Sequence, residues 1–301
     1  YEGMVMDIAA IAAITRKKEM CLIVDEAHGA HFPFSSYFPT SAITSGADLV
    51  IQSLHKTMPA LTQTALLHVC SSKVSARRVQ ECIDYFETSS PSYLLTASID
   101  EAIRFGMQEH EKFNQYQRNL IKFRKEIADL KHLYLVPVDD AGKLVISTSK
   151  TNMTGKELYD ILLGNYHLQM EMAQETYCLA MTSVCDQWQG YEKLLKALKE
   201  IDSSLSDKKS SAIYQWMIRN ELAMIPNQAK RMELAAVEIA KSAGCISGEY
   251  VYLYPPGIPL IVPGERIEEA CIKKILEYQK KHLKIKGMAD TGGKMIKVRK
   301  G

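Results

Sequence analysis

Cys21-Leu22-Ile23-Val24-Asp25-Glu26-Ala27-His28 and, farther on, Asp48-Leu49-Val50-Ile51-Gln52-Ser53-Leu54-His55-Lys56 decide the fold. Each begins as a short apolar run and ends in a polar cluster. Runs of that length and setting read as buried strands. Working outward, residues 5–18 have apolar positions compatible with a helix that ends in Arg16-Lys17-Lys18. A loop rich in His, Phe and Pro covers 28–39, and a short helix is predicted near 41–45. Thr64 to Cys70 is apolar and β-like, and another helix is predicted from about Ser75 to Phe86. Strands alternating with helices predict an open, mostly parallel sheet. Such sheets bind ligands at the C-terminal ends of their strands, and Asp25 and Lys56 occupy that kind of position.

An acid and a lysine, 31 residues apart at the ends of two neighbouring strands, are what pyridoxal 5'-phosphate (PLP) chemistry needs. The lysine holds the cofactor aldehyde as a Schiff base, and the carboxylate keeps the pyridine nitrogen protonated. Lys56 is read as the first and Asp25 as the second. A carboxylate after Leu-Ile-Val is costly to leave unpaired, which gives Asp25 a purpose beyond capping a turn. Ala27 is small where a ring would lie flat, and Ser53 can donate to a phosphate or serve only as a turn residue. His55 can touch the phosphate, touch the substrate carboxylate or protonate a carbanion. His28 can line the substrate side, and both histidines can equally be structural. Asp25-Glu26-Ala27-His28 also spells the acidic box of certain helicases, but that reading needs an upstream phosphate loop. The nearest fragment, Thr154-Gly155-Lys156, lacks the first glycine and lies downstream.

After a break at Ser89-Ser90-Pro91-Ser92, Ile99, Ile103, Phe113, Tyr116, Leu120, Phe123 and Ile127 recur at helical spacing. They predict one long helix from Leu94 to about Leu130, a connector between a large and a small domain. Beyond it, Leu144-Val145-Ile146 reads as a strand, 155–165 as a helix, 168–173 and 177–181 as strands, and 191–205 as a helix. That order fits a small α+β domain. A polar break at Ser203–Ser211 precedes helical patterns at 228–243 and 265–282, with turn chemistry between them at Tyr254-Pro255-Pro256-Gly257-Ile258-Pro259. The domain expectation is therefore 1–130 for part of a large domain with its connector and 131–301 for a small one, its last segment about 206–301.

Composition excludes several classes. With 301 residues, 47% hydrophobic, 24% charged and a net charge of +2, the chain has neither the signature of disorder nor a basic face for nucleic acid. No membrane span is visible: the apolar stretch 4–15 is short and interrupted by Asp7. Seven scattered cysteines fit reduced thiols in a cytoplasmic protein. His28 and His31, three apart and without further ligands, make a poor metal site. The chain opens at Tyr1, directly before a helix and strand, which predicts an N-terminally truncated α/β domain.

The chain resembles the Orn/Lys/Arg decarboxylases, PLP enzymes of fold type I (the aspartate-aminotransferase fold). The resemblance runs over nearly its whole length and is carried by IVDEAHGAHF (23–32), GADLVIQSLHKTMPALTQTALL (46–67), SSPSYLLTASI (89–99) and YPPGIPLIVPGE (254–265). It implies a partial large α/β domain with a parallel-rich sheet, plus a smaller α+β C-terminal domain. It implies PLP on Lys56, Asp25 at the pyridine nitrogen, and Ser53 and His55 at the cofactor or its phosphate. Some larger members carry tryptophan in place of His28. It further implies a homodimer or higher homo-oligomer in which Ser89 and Ser90 reach the partner's phosphate, and Glu171 is the expected partner for the cationic end of the substrate. The implied reaction is loss of CO2 from arginine, lysine or ornithine to give agmatine, cadaverine or putrescine, a step of polyamine biosynthesis. Two rivals stand beside it. An aminotransferase or acyl-CoA-dependent synthase would need an arginine for the α-carboxylate (candidates Arg219, Arg231 and Arg266), and a non-catalytic partner would merely keep the fold.

Overall fold

The computed structural model describes residues 1–207, 220–254 and 257–300. Arg219, Pro255-Pro256 and the end of the polar break (208–211) lie outside the described residues. The chain divides into two compact units, Tyr1–Ile146 with Leu179–Ser204, and Ser147–Cys178 with Leu205–Gly301. Each is built of two chain segments, so the chain passes between them three times, whereas a boundary near 130 would be passed once.

In the first unit, helix α1 (Ile8–Lys17) starts at Asp7, whose carboxylate accepts the Ala10 amide at 2.9 Å. Residues 1–6 run outside it. Strand β1 (Ile23–Asp25) pairs in parallel with β2 (Leu49–Ser53), and β2 pairs antiparallel with β3 (Ala65–Val69). Between β2 and β3 lies the one-turn helix α2 (Leu54–Thr57). The short helix expected at 41–45 is a run of turns instead. The Glu26 carboxylate holds it, accepting Ser41 Oγ and the Ala42 amide, both at 2.7 Å.

Helix α3 (Ala76–Ile83) is followed by α4 (Tyr93–Gln108) and α5 (His110–Ile127). The single connector helix expected over 94–130 is thus two. Glu109, at φ −93° and ψ 49°, leaves the helical region, and its amide closes α4 on Phe105 O. The apolar stripe passes the break in phase, from Ala102 and Gly106 to Phe113, so hydrophobic spacing does not register it. Gly106, one turn before the break, lowers the local preference for helix.

Strands β4 (Tyr134–Leu135) and β5 (Lys143–Ser147) precede α6 (Gly155–Tyr166), β6 (Met172–Ala173), β7 (Tyr177–Met181) and α7 (Trp188–Ser204). The division between the units falls inside β5 and β7. The core of the first unit lies where α5 meets α7. Phe113, Tyr116, Leu120, Phe123 and Ile127 of α5 are buried, as are Tyr191, Leu194, Leu195 and Leu198 of α7. Each such side chain contributes about 1.5–3 kcal/mol by leaving water.

In the second unit, Thr154-Gly155-Lys156 opens α6 as a capping box: Thr154 Oγ1 accepts the Glu157 amide, and the Glu157 carboxylate accepts the Thr154 amide. The C-terminal helix α8 (Glu269–Lys280) packs Cys271, Ile272 and Ile275 against Val251, Ile261, Ile296 and Val298. The helix expected at 228–243 is replaced by a strand. Leu234–Glu238 pairs antiparallel with Met295–Arg299 through five residues. The Leu-Ala-Ala-Val-Glu segment has good helix formers, but a ladder from about 60 residues downstream overrides local preference. Of the strand expected at 168–173, only Met172–Ala173 forms.

Candidate active site

The parallel register pairs Asp25 with Ile51, so β1 and β2 end side by side. Asp25 closes β1, and α2 carries Lys56 just past the end of β2. Both line one cavity of about 390 Å³, together with Ala27, His28, Phe32, Asp140, Lys143 and the segment around Tyr1. Glu26 supports this end of the sheet from behind. Besides Ser41 and Ala42, its carboxylate accepts the amide of buried Gln52 at 2.6 Å, and Gln52 Oε1 meets His68 Nε2 at 3.1 Å.

His28 stands between two lysines. Lys56 Nζ lies 3.2 Å from its Nε2, and Lys143 Nζ lies 3.0 Å from its Nδ1. The Tyr1 ring packs on the imidazole at 4.6 Å. Burial, then the charges of Lys143 and Lys56, push the His28 pKa down to about 3, so the ring is neutral near pH 7. Behind Lys143, Asp140 Oδ1 receives His31 Nε2 at 3.3 Å and the Gly142 amide at 2.9 Å. Burial works to raise the Asp140 pKa, but His31, Lys143 and the Gly142 amide outweigh it and leave the carboxyl below its usual range.

The structure gathers Asp25, Ala27, His28 and Lys56 around the cavity. Ser53 and His55 flank Lys56 in sequence but are absent from the cavity lining. His55 Nδ1 instead bonds Thr64 O at 2.9 Å, which ties α2 to the start of β3. Ser53 precedes α2 without a side-chain capping bond. Ser89 and Ser90 are exposed in the loop before α4. Glu171 is exposed in the second unit, next to β6. Arg266 is engaged by Glu221 at 3.0 Å and by Gly244 O, and Arg231 is exposed. The sequence reading does not single out Lys143, Asp140 or Glu26, and weighs His31 only as a metal ligand. Asp139-Asp140-Ala141-Gly142 reads locally as a turn, and nothing in it marks the next lysine as buried. Among the described residues no His/Cys/Asp/Glu group could hold a metal ion.

The residues fit PLP at two points. Lys56 is held by no carboxylate among the described residues; its neighbours are the His28 imidazole and the Tyr1 ring, so its nitrogen is available to an aldehyde. Asp25 lines the cavity with its side chain exposed, and its carboxylate accepts the Ala27 amide at 3.0 Å, leaving its other oxygen able to pair with a ring N–H.

The sequence profile of the Orn/Lys/Arg decarboxylase major domain matches residues 1–203, and that of the family's C-terminal domain matches 208–288. The chain belongs to the Orn/Lys/Arg decarboxylase family. An arginine decarboxylase of Bacillus subtilis is 30% identical over 99% of this chain and 64% of its own length. The chain therefore spans less than two thirds of that relative. Among solved structures, the constitutive lysine decarboxylase of E. coli superposes with a TM-score of 0.79 at 18% identity, over 100% of this chain and 57% of the other. A structure of SPT with PLP gives 0.55 at 16% identity, over 67% of this chain and 52% of the other. These likenesses establish the fold, an α/β arrangement shared by family members and by other PLP enzymes of fold type I.

Proposed function

We propose that the protein is a PLP-dependent decarboxylase of a basic amino acid: arginine, lysine or ornithine. The observation that carries this reading is the placement of Lys56, free of any carboxylate among the described residues, and Asp25 on one cavity at the ends of two paired parallel strands. Family membership and the named activities of the relatives support it. Bound PLP supplies an electron-accepting pyridinium ring, which lets a carboxylate leave the α-carbon as CO2.

The chain's own groups supply the rest. Lys56 Nζ would hold the cofactor aldehyde, and Asp25 would keep the proton on the pyridine nitrogen. His28 Nε2, within hydrogen-bond distance of Lys56 Nζ, moves a proton to or from that nitrogen. Lys56 and Lys143 make this part of the cavity hospitable to an anion and hostile to a second cation. The cationic end of the substrate therefore points away from them, and Glu171 is its proposed partner. Tyr85, Phe86, Tyr93 and Leu94 are exposed around Ser89-Ser90, Phe86 by 92%. This apolar patch supports a homodimer joined there, with Ser90 offered to the partner's phosphate.

The test uses the full-length protein. With PLP, an absorption band that borohydride traps on the Lys56 peptide is expected in the wild type and absent in Lys56→Ala. Arginine, lysine or ornithine should then yield one amine per CO2. A keto acid without amine would replace this reading with transamination, and no trapped Lys56 peptide would refute it.

A further inference from the structure

The chain's net charge of +2 conceals a local excess. Residues 280–300 contain eight lysines and arginines and a single acid, Asp290. Part of that excess is matched. Lys281 pairs with Glu175 and Glu277, and Lys300 pairs with Glu233. Lys280, in the last turn of α8, complements the negative end of the helix dipole. Lys284, Lys286 and Lys294 are different. All three are exposed, and with His282 and Asp290 they line one cavity of about 730 Å³.

The wall that carries them is fixed by its backbone. Strand Ile285–Lys286 pairs antiparallel with Val251–Leu253. Gly287, at φ +100°, then passes so close that a Cβ there would lie 2.4 Å from Tyr250 O. The Glu249 carboxylate accepts the amides of Ala289 and Lys297, both at 2.8 Å. Asp290 accepts the Gly292 amide on Oδ1 at 2.9 Å and the Lys294 and Met295 amides on Oδ2 at 2.8 Å. Both carboxylates thus hold backbone amides and shape the loop. Three lysine charges against one carboxylate leave the cavity positive, and its volume suits a small ligand. An ammonium is a point charge with three donor hydrogens, suited to a multiply charged phosphate. A planar carboxylate is better matched by the guanidinium fork, and no arginine lines this cavity.

We propose that this cavity binds a small phosphate anion carrying two or more phosphoryl groups, through Lys284, Lys286 and Lys294, with His282 as a further donor. A free polyphosphate and the phosphate tail of a nucleotide share that chemistry. The site lies within the second unit and stands independently of the PLP reading.

Isothermal titration calorimetry of the full-length protein with pyrophosphate and tripolyphosphate tests it, at 0.15 M salt, where the Debye length is about 8 Å. One site per chain is expected, tighter for tripolyphosphate. Lys284→Gln combined with Lys286→Gln should weaken tripolyphosphate by roughly tenfold per lysine, the scale of one charge-assisted hydrogen bond. Lys241→Gln combined with Lys273→Gln removes the same charge from exposed positions outside the cavity. That control should stay within about twofold of the wild type, because distant charges are screened. All four side chains are exposed, so both variants should keep the wild-type circular dichroism. ADP binding more tightly than pyrophosphate would support the site with a nucleotide as its occupant, and equal affinities would support it with a free polyphosphate. Equal losses in the two double variants would mean diffuse attraction and overturn the proposal. Wild-type affinity in the Lys284 and Lys286 variant, as when the probe enters the Lys56 cavity instead, overturns it too. So does an absence of binding to the wild type.

Discussion

Acidification should reveal the cost of keeping His28 neutral. Its pKa lies at about 3 in the folded protein against 6.5 for an ordinary histidine. Between those values the unfolded chain holds a proton that the folded chain refuses. Stability is therefore full above pH 6.5 and falls as pH drops from 6.5 towards 3. Refusing one proton costs about 1.4 kcal/mol for each pH step of one, so at pH 4.5 a fully buried ring would cost about 2.7 kcal/mol. His28 is partly open to water, and screening reduces this to about 1.5 kcal/mol. Urea unfolding followed by circular dichroism at pH 7.5 and 4.5, on the wild type and His28→Gln, measures it. Other titrating groups act in both proteins and cancel in the difference. The wild type should lose about 1.5 kcal/mol more than the variant. Parallel losses in the two would refute the account of a ring held neutral by burial and two lysines.

Glu26→Ala removes the acceptor for Ser41, Ala42 and buried Gln52 together. It should cost about 3 kcal/mol, read as a lower urea midpoint with an unchanged slope. Asp202 accepts the amides of Lys131, His132 and Leu133 at 2.7–2.9 Å. Burial opposes its ionisation, but the three amides hold its carboxyl below the usual range. Its contribution is present above the unfolded carboxyl pKa of about 3.9 and is lost as pH falls through the lower folded value. Asp202→Asn should cost about 1–2 kcal/mol at pH 7, and that gap should narrow as pH falls below about 3.9 in the same unfolding assay.

Where local chemistry decided the outcome, it was legible in the residues. Asp25 and Lys56 stand at the ends of β1 and β2 because apolar runs of strand length stop just before them, and a parallel pair carries both to the same edge. The helix at Glu269–Lys280 and the strand at Tyr177–Met181 likewise follow from spacing within the segment. Where the deciding partner lay far along the chain, the residues misled. Leu234–Glu238 is made of helix formers and becomes a strand because Met295–Arg299 lies beside it. The break at Glu109 leaves the apolar stripe in phase and so leaves no trace in it.

The candidate site divides in the same way. Sequence alone determined that a lysine and a carboxylate would meet at a sheet edge, since period, length and turn chemistry are properties of neighbouring residues. Only the tertiary structure decided what surrounds that lysine. Lys143 is 115 residues from His28 in the chain and 3.0 Å from it in space. A lysine after a glycine turn reads as surface until the fold buries it. Burial, counter-charge and the choice between donor and acceptor depend on every group packed around a side chain, which no local stretch of sequence contains.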